Sequence, residues 1–121
     1  MASKKIMIVE DDEAIIDILT LILYDAGYDV VALKTSKEAE NYLTGDLGLI
    51  LLDLRLRGSD KSGSAICELF KSRSNMQHIP ILILSAERDI AEIAGKCGAD
   101  DFIQKPFDID HLITKVEYHL K

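Results

Sequence analysis

Leu49-Ile50-Leu51-Leu52-Asp53 is the stretch whose reading decides the fold. Four consecutive apolar residues are too short for a typical helix and suit a strand buried on both faces, as in a parallel sheet covered by helices. The run stops at a carboxylate, and open α/β sheets place their ligands at the carboxyl ends of such strands. A single aspartate there would do no more than open a polar turn. A second acidic group, Glu10-Asp11-Asp12, also follows an apolar run, Ile6-Met7-Ile8-Val9. Two buried strands ending in carboxylates gather like charges at one sheet edge, which calls for a cation or a proton.

Outward from these two runs, strand and helix patterns alternate. Ile15, Ile18, Leu19, Ile22 and Leu23 recur at helical spacing, with Gly27 as the C′ residue. Tyr28 to Leu33 reads as a weaker strand. Thr35 and Glu38 make a capping-box pattern ahead of a helix carrying Ala39, Tyr42 and Leu43 and closed by Gly45. After Asp53 comes a polar loop, Arg55 to Gly63, then a helix with Ser62 as its cap and Ile66, Leu69 and Phe70 on one face. Pro80 opens a fourth strand, Ile81 to Leu84, at a position proline tolerates. Ile90, Ile93, Ala94 and Cys97 point one way on the next helix, which Gly98 follows. Phe102-Ile103 is a short fifth strand. Asp108 caps a last helix with Ile109, Leu112, Ile113, Val116 and Leu120 toward the core. The pattern is (βα)5. It predicts an α/β, flavodoxin-like doubly wound sandwich: five parallel strands in the order 2-1-3-4-5 with helices on both faces. In that order strands 1 and 3 are neighbours, so Glu10-Asp11 and Asp53 lie side by side.

Composition narrows the function classes. The 121 residues make one domain with a real core, and the net charge of −7 argues against direct nucleic-acid binding. Cys67 and Cys97 form no CxxC pair and read as small buried side chains of a reducing compartment. The apolar runs fall far short of the ~20 residues of a membrane span. The first residues lead straight into a strand pattern without a signal-peptide core, so the expected location is cytoplasmic. No GxGxxG or GxxxxGK[ST] supports nucleotide binding, and His78, His111 and His119 share no ligand spacing; the two on the last helix read as solvated.

Several carboxylates around one point form an oxygen-rich site for a hard divalent cation. Mg²⁺ is favoured over Ca²⁺, because the ligands come from separate strand ends and no twelve-residue loop is present. An aspartate beside Mg²⁺ can attack phosphorus while the metal neutralises the transferring group. Two further strand ends meet the same rim. Ser85 can donate a hydrogen bond to an acyl phosphate, and Lys105 can pair with its oxygens.

These residues resemble the receiver domain of two-component response regulators across the whole chain. The pieces that carry the likeness are Ile8-Val9-Glu10-Asp11-Asp12, Leu51-Leu52-Asp53, Leu84-Ser85-Ala86, and Gly98-Ala99-Asp100-Asp101-Phe102 through Lys105-Pro106-Phe107. Each is short, but their order and spacing together are specific. The resemblance implies a single receiver domain over 1–121 with no output domain. It implies a signalling switch, with self-phosphorylation and autodephosphorylation activity but no turnover of an external metabolite. A histidine kinase or phosphotransfer protein would pass a phosphoryl group from phosphohistidine to Asp53. Mg²⁺ (with Mn²⁺ as a substitute) would be held by Asp11, Asp53 and the backbone carbonyl of Arg55, with Glu10 acting through water. Asp12 would begin the first helix, where its charge suits the dipole. Ser85 matches the switch hydroxyl, Lys105 the phosphate-sensing lysine, and Phe102 the aromatic switch that moves inward. The Lys105-Pro106 peptide would be cis. The signal would emerge on the face of the fourth helix, fifth strand and fifth helix, toward a downstream protein or a covalently linked output domain, or through a phosphorylation-dependent dimer.

Two departures stand out. The proline usual four residues after the phosphoacceptor is replaced by Arg57, and the loop from Arg55 to Gly63 is about two residues longer than usual, an offset a surface loop absorbs cheaply. Arg55 and Glu87, two residues beyond Asp53 and Ser85, flank the path of hydrolytic water. Their opposite charges predict a pair that shields the acyl phosphate. Two other readings compete with the switch. A Mg²⁺-dependent aspartyl phosphatase would favour a second carboxylate where Arg55 stands, and a non-phosphorylated scaffold would need neither Ser85 nor Lys105.

Overall fold

In the computed structural model, which describes residues 4–42 and 46–120, strands and helices alternate along the chain. They are β1 (Lys5–Val9), α1 (Glu13–Asp25), β2 (Asp29–Leu33), α2 (Ser36–Glu40), β3 (Leu47–Asp53), α3 (Gly63–Ser72), β4 (Ile81–Ser85), α4 (Ile90–Cys97), β5 (Asp101–Gln104) and α5 (Ile109–Leu120). All neighbouring strands are parallel and their order is β2-β1-β3-β4-β5. This is the architecture read from the alternation of apolar runs.

Strand periodicity sorts the core into two layers. Met7, Val9, Ile50, Leu52, Ile81 and Ile83 face one side, where they meet Ala39 of α2, Ile66 and Phe70 of α3, and Ala94 of α4. Ile6, Ile8, Leu49, Leu51, Leu82 and Leu84 face the other, against Leu19 and Leu23 of α1 and Leu112 and Val116 of α5. Both faces of β1, β3 and β4 are covered, which is why their sequences are continuous apolar runs rather than alternating ones. Edge strand β2 has no fully buried residue, in keeping with its weaker pattern.

The starts of α1, α2 and α3 and the ends of α1 and α4 follow the predicted chemistry. Asp12 caps α1, accepting hydrogen bonds from the Ala14 and Ile15 amides. Thr35 and Glu38 cap α2 reciprocally. Ser62 accepts from the Ala65 amide at the start of α3. Gly27 lies just beyond the α1 C-cap with φ +98°, and Gly98 caps α4 at φ +84°. Both adopt the left-handed conformation that glycine takes without steric cost.

The differences are local. On α1, Ile16 is buried and Ile18 is half exposed, so the core stripe is shifted from the one predicted. On α5, Ile109 is 54% exposed rather than buried, because it lines an open cleft between α1 and α5. Helix α2 stops at Glu40, ahead of Tyr42. Leu43 and Gly45 fall outside the described residues. Strand β3 is longer than Leu49–Leu52, starting at Leu47.

Candidate functional site

Sheet register assembles the site. Val9 pairs with Leu52, so Glu10 and Asp53, the next residues on adjacent strands, come out level. Asp53 pairs with Leu84, placing Ser85 one step beyond it. Ser85 pairs with Gln104, and the Lys105 amide donates to the Ser85 carbonyl at 2.8 Å. The chain then turns through a cis Lys105–Pro106 peptide.

Carboxylate oxygens of Glu10, Asp11 and Asp53 lie within 4.8 Å of one another. Glu10 is 1% exposed. Its Oε2 accepts from the amides of Asp11 and Asp12, and its Oε1 lies 2.8 Å from the Lys105 ammonium. Burial and the neighbouring Asp53 carboxylate push the Glu10 pKa up to about 7, although Lys105 opposes the rise. Lys105 is 3.6 Å from Asp53 Oδ2, so its nearer carboxylate is Glu10. Asp53 is itself buried, and its Oδ1 accepts from the Arg55 amide at 3.4 Å. Burial alone would raise the pKa of Asp11, but hydrogen bonds from the Arg57 side chain and backbone hold it below the ordinary aspartate value.

Asp53, Arg55 and Lys105 stand between two shallow clefts. One is completed by Ser85, Ala86 and Glu87. The other is completed by Glu10, Asp11, Asp12, Ile15 and Arg57. The acidic cleft offers an all-oxygen donor set with more negative charge than Lys105 neutralises, and this suits a hard divalent cation such as Mg²⁺. In the first cleft the buried Ser85 hydroxyl accepts from the Glu87 amide at 3.1 Å, which leaves its own hydrogen free to point at an incoming oxygen. Arg55 Nε lies 2.6 Å from Glu87 Oε1 across the mouth of this cleft. Phe102 is partly buried against the core layer of α2, α3 and α4. The Lys115 ammonium sits 5.1 Å from its ring centre.

The loop between β3 and α3 is not loose. Leu54 and Leu56 are buried in it. Ser59 Oγ accepts from the Ser36 amide, the Lys61 amide donates to Ser36 Oγ, and Lys61 pairs with Glu40, so the loop is fastened to α2. Its middle reaches the acidic cleft through Arg57.

Asp53, Glu10, Asp11, Ser85, Lys105, Arg55 and Glu87 therefore share one rim, and Phe102 lies on β5 beside it. The contact of Arg57 with Asp11 was not foreseen, and the only signal in the sequence is a cation where the related pattern has proline. His119 is not solvated as expected: its Nε2 lies 2.9 Å from Asp101 Oδ2. Cys67 and Cys97 are buried, and each thiol donates to a carbonyl, of Cys97 and Ala94 respectively. Among the described residues no helix is long and apolar enough to cross a membrane.

Comparison with known proteins points the same way. The sequence pattern of the response regulator receiver domain matches residues 6–117. The chain is 34% identical over 119 residues to the uncharacterised transcriptional regulatory protein YrkP of Bacillus subtilis. The match covers 97% of this chain and 49% of the relative, so the chain spans about half the length of that protein. Among solved structures, the signal receiver domain of a signal transduction histidine kinase from Syntrophus aciditrophicus superposes with a TM-score of 0.88 at 30% identity, covering 98% of this chain and 90% of that one. The receiver domain of NtrX from Brucella abortus does so with a TM-score of 0.85 at 30% identity, covering 95% and 97%.

Proposed function

The chain belongs to the response regulator receiver domain family, and from that membership we propose that Asp53 accepts a phosphoryl group from the phosphohistidine of a histidine kinase or phosphotransfer protein. The observation that carries this reading is the convergence of Asp53 with Glu10, Asp11 and Lys105 at one rim. An Asp53 oxygen forms the new O–P bond as the donor N–P bond breaks, the imidazole keeping the electron pair. Lys105, 3.6 Å from Asp53, pairs with the oxygens of the resulting acyl phosphate. Asp11, Asp53, the Arg55 backbone carbonyl and, through water, Glu10 are the groups that would hold Mg²⁺, or Mn²⁺ in its place. The ion would supply neutralising charge to the phosphoryl oxygens.

Ser85 then turns its hydroxyl toward the acyl phosphate, and Phe102 moves inward on β5. A phenyl ring buries without stranding a polar group, so this motion costs no unpaired hydrogen bond. The change reads out on the α4–β5–α5 face, toward a downstream protein, a second copy of the chain, or an output domain linked to the receiver unit of residues 1–121. This cycle belongs to the cytoplasm and needs no direct contact with nucleic acid or membrane. The positively charged Arg55, where an aspartyl phosphatase would favour a carboxylate, weighs against turnover of small phosphate esters.

The test is intact-mass analysis after incubation with acetyl phosphate and Mg²⁺. The wild type gains the mass of one phosphoryl group and Asp53→Ala gains none. Equal labelling of the two, or of neither, ends the reading.

A further inference from the structure

Arg57 approaches the acidic cleft with two donors. Its Nε lies 2.8 Å and its backbone nitrogen 3.1 Å from Asp11, both on Oδ2. The Arg57 side chain is 82% exposed, whereas that of Asp11 is 13% exposed. The approach is built into the loop on either side: Leu56 is buried just before Arg57, and Ser59 and Lys61 are tied to Ser36 just after it. The Glu10 side chain also acts on the Asp11 carboxylate, but the paired cation is Arg57.

From this geometry we infer that Arg57 is a built-in cation that competes with a divalent metal for Asp11. The inference rests on the metal reading of the same site. Arginine stays charged at every pH the protein meets. A divalent ion entering the carboxylate cluster meets this positive charge already paired with one of the three carboxylates, and like charges repel. The guanidinium is also easy to displace. It is solvated on a long stem, and exposed pairs of this kind exchange with water at little cost. Arg57 therefore acts as a latch rather than a plug: it lowers metal affinity, and bound metal loosens Arg57. That coupling is reciprocal by thermodynamic necessity. Because Arg57 also donates its backbone amide to Asp11, releasing the latch frees the middle of the β3–α3 loop while its α2 end stays fastened. Metal occupancy is in this way written into the path of a loop that is longer than usual.

The alternative role, in which Arg57 orients Asp11 for the metal, predicts the opposite sign. The experiment titrates Mn²⁺ by calorimetry into wild type, Arg57→Gln, Arg57→Lys and Asp11→Asn. The latch requires Arg57→Gln to bind Mn²⁺ tighter than wild type by about 1.4- to fivefold, the range spanned by an exposed ion pair. The gap should narrow as salt is raised. Arg57→Lys keeps the charge without the fork and should fall between the two. In wild type, the ¹⁵N resonance of Arg57 Nε should move on saturation with Mg²⁺. Equal or weaker binding by Arg57→Gln, or an unmoved Nε resonance, overturns the latch while leaving the metal site intact. If Asp11→Asn binds Mn²⁺ as wild type does, the metal reading itself fails, and the latch with it.

Discussion

A Cβ built on Gly63 would lie 1.9 Å from the carbonyl oxygen of Asp53. It would also come within 2.8 Å of Leu54 Cα. The Gly63 amide donates to the Leu54 carbonyl at 3.0 Å, so the start of α3 is pressed onto the end of β3. The requirement is one of space, since Gly63 carries no positive φ. Gly63→Ala must push backbone against backbone, a form of overpacking that costs about 1–3 kcal/mol. Urea unfolding should show a lower midpoint with an unchanged slope. Labelling of Asp53 by acetyl phosphate should slow in the same variant, because the displaced backbone is that of Asp53 itself.

Arg55 and Glu87 meet at the mouth of the cleft that holds Asp53 and Ser85. Arg55 is 80% exposed, so removing the pair should change stability by less than ~1 kcal/mol. The effect expected of the pair is on access to the cleft. Arg55→Ala and Glu87→Ala should each hydrolyse the acyl phosphate faster than wild type, and the double variant no faster than either, because the two side chains act as one barrier. The check is the decay of phosphorylated protein followed by intact mass. Unchanged decay in both single variants removes the shielding role.

Adding Mg²⁺ should raise the melting temperature. At a free concentration ten times its dissociation constant, a ligand bound only to the folded state stabilises by about 1.4 kcal/mol. That amounts to a shift of several degrees for a domain of this size. Chelation by EDTA should reverse the shift, and Asp11→Asn should abolish it. A wild-type melting point that ignores Mg²⁺ would contradict the metal site.

Asp101 ties β5 to α5. It accepts from the Phe102 amide at 2.8 Å, from Lys115 at 2.7 Å and from His119 at 2.9 Å. Burial alone would raise its pKa, but these three partners hold it below the ordinary value of 3.8. A carboxyl depressed by folding adds stability above its unfolded pKa and loses it as pH falls through the folded one. Asp101→Asn should therefore unfold at lower urea than wild type at pH 7, by about 1 kcal/mol. The difference between the two should shrink as pH is taken below 3.8. A constant difference down to pH 2 would show that the charge is not what stabilises.

Much of this was readable from sequence, because strands buried on both faces are written as unbroken apolar runs. Those runs at Ile6–Val9, Leu49–Leu52 and Ile81–Leu84 appear as β1, β3 and β4 with only their ends adjusted. Helical spacing identified α1 and α5, but on α1 it did not say which of two adjacent stripes would be buried. Ile18 is misplaced for that reason: the rotation of a helix on its sheet is settled by packing, not by period, whereas Ile109 lies on the expected stripe of α5 in a first turn left open beside α1.

The chain by itself determined which residues stand at the strand ends, since a carboxylate, hydroxyl or lysine following an apolar run must emerge at the sheet's edge. Asp53, Glu10, Asp11, Ser85 and Lys105 needed nothing more than order and topology. Tertiary structure alone decided how these charges pair. Lys105 leans to Glu10 before Asp53, Arg57 closes on Asp11, and Gly63 leaves room for the Asp53 carbonyl. Those choices turn on distances of a few ångströms between residues as many as 95 positions apart. Electrostatic energy at that range varies with separation and burial, which no one-dimensional pattern records.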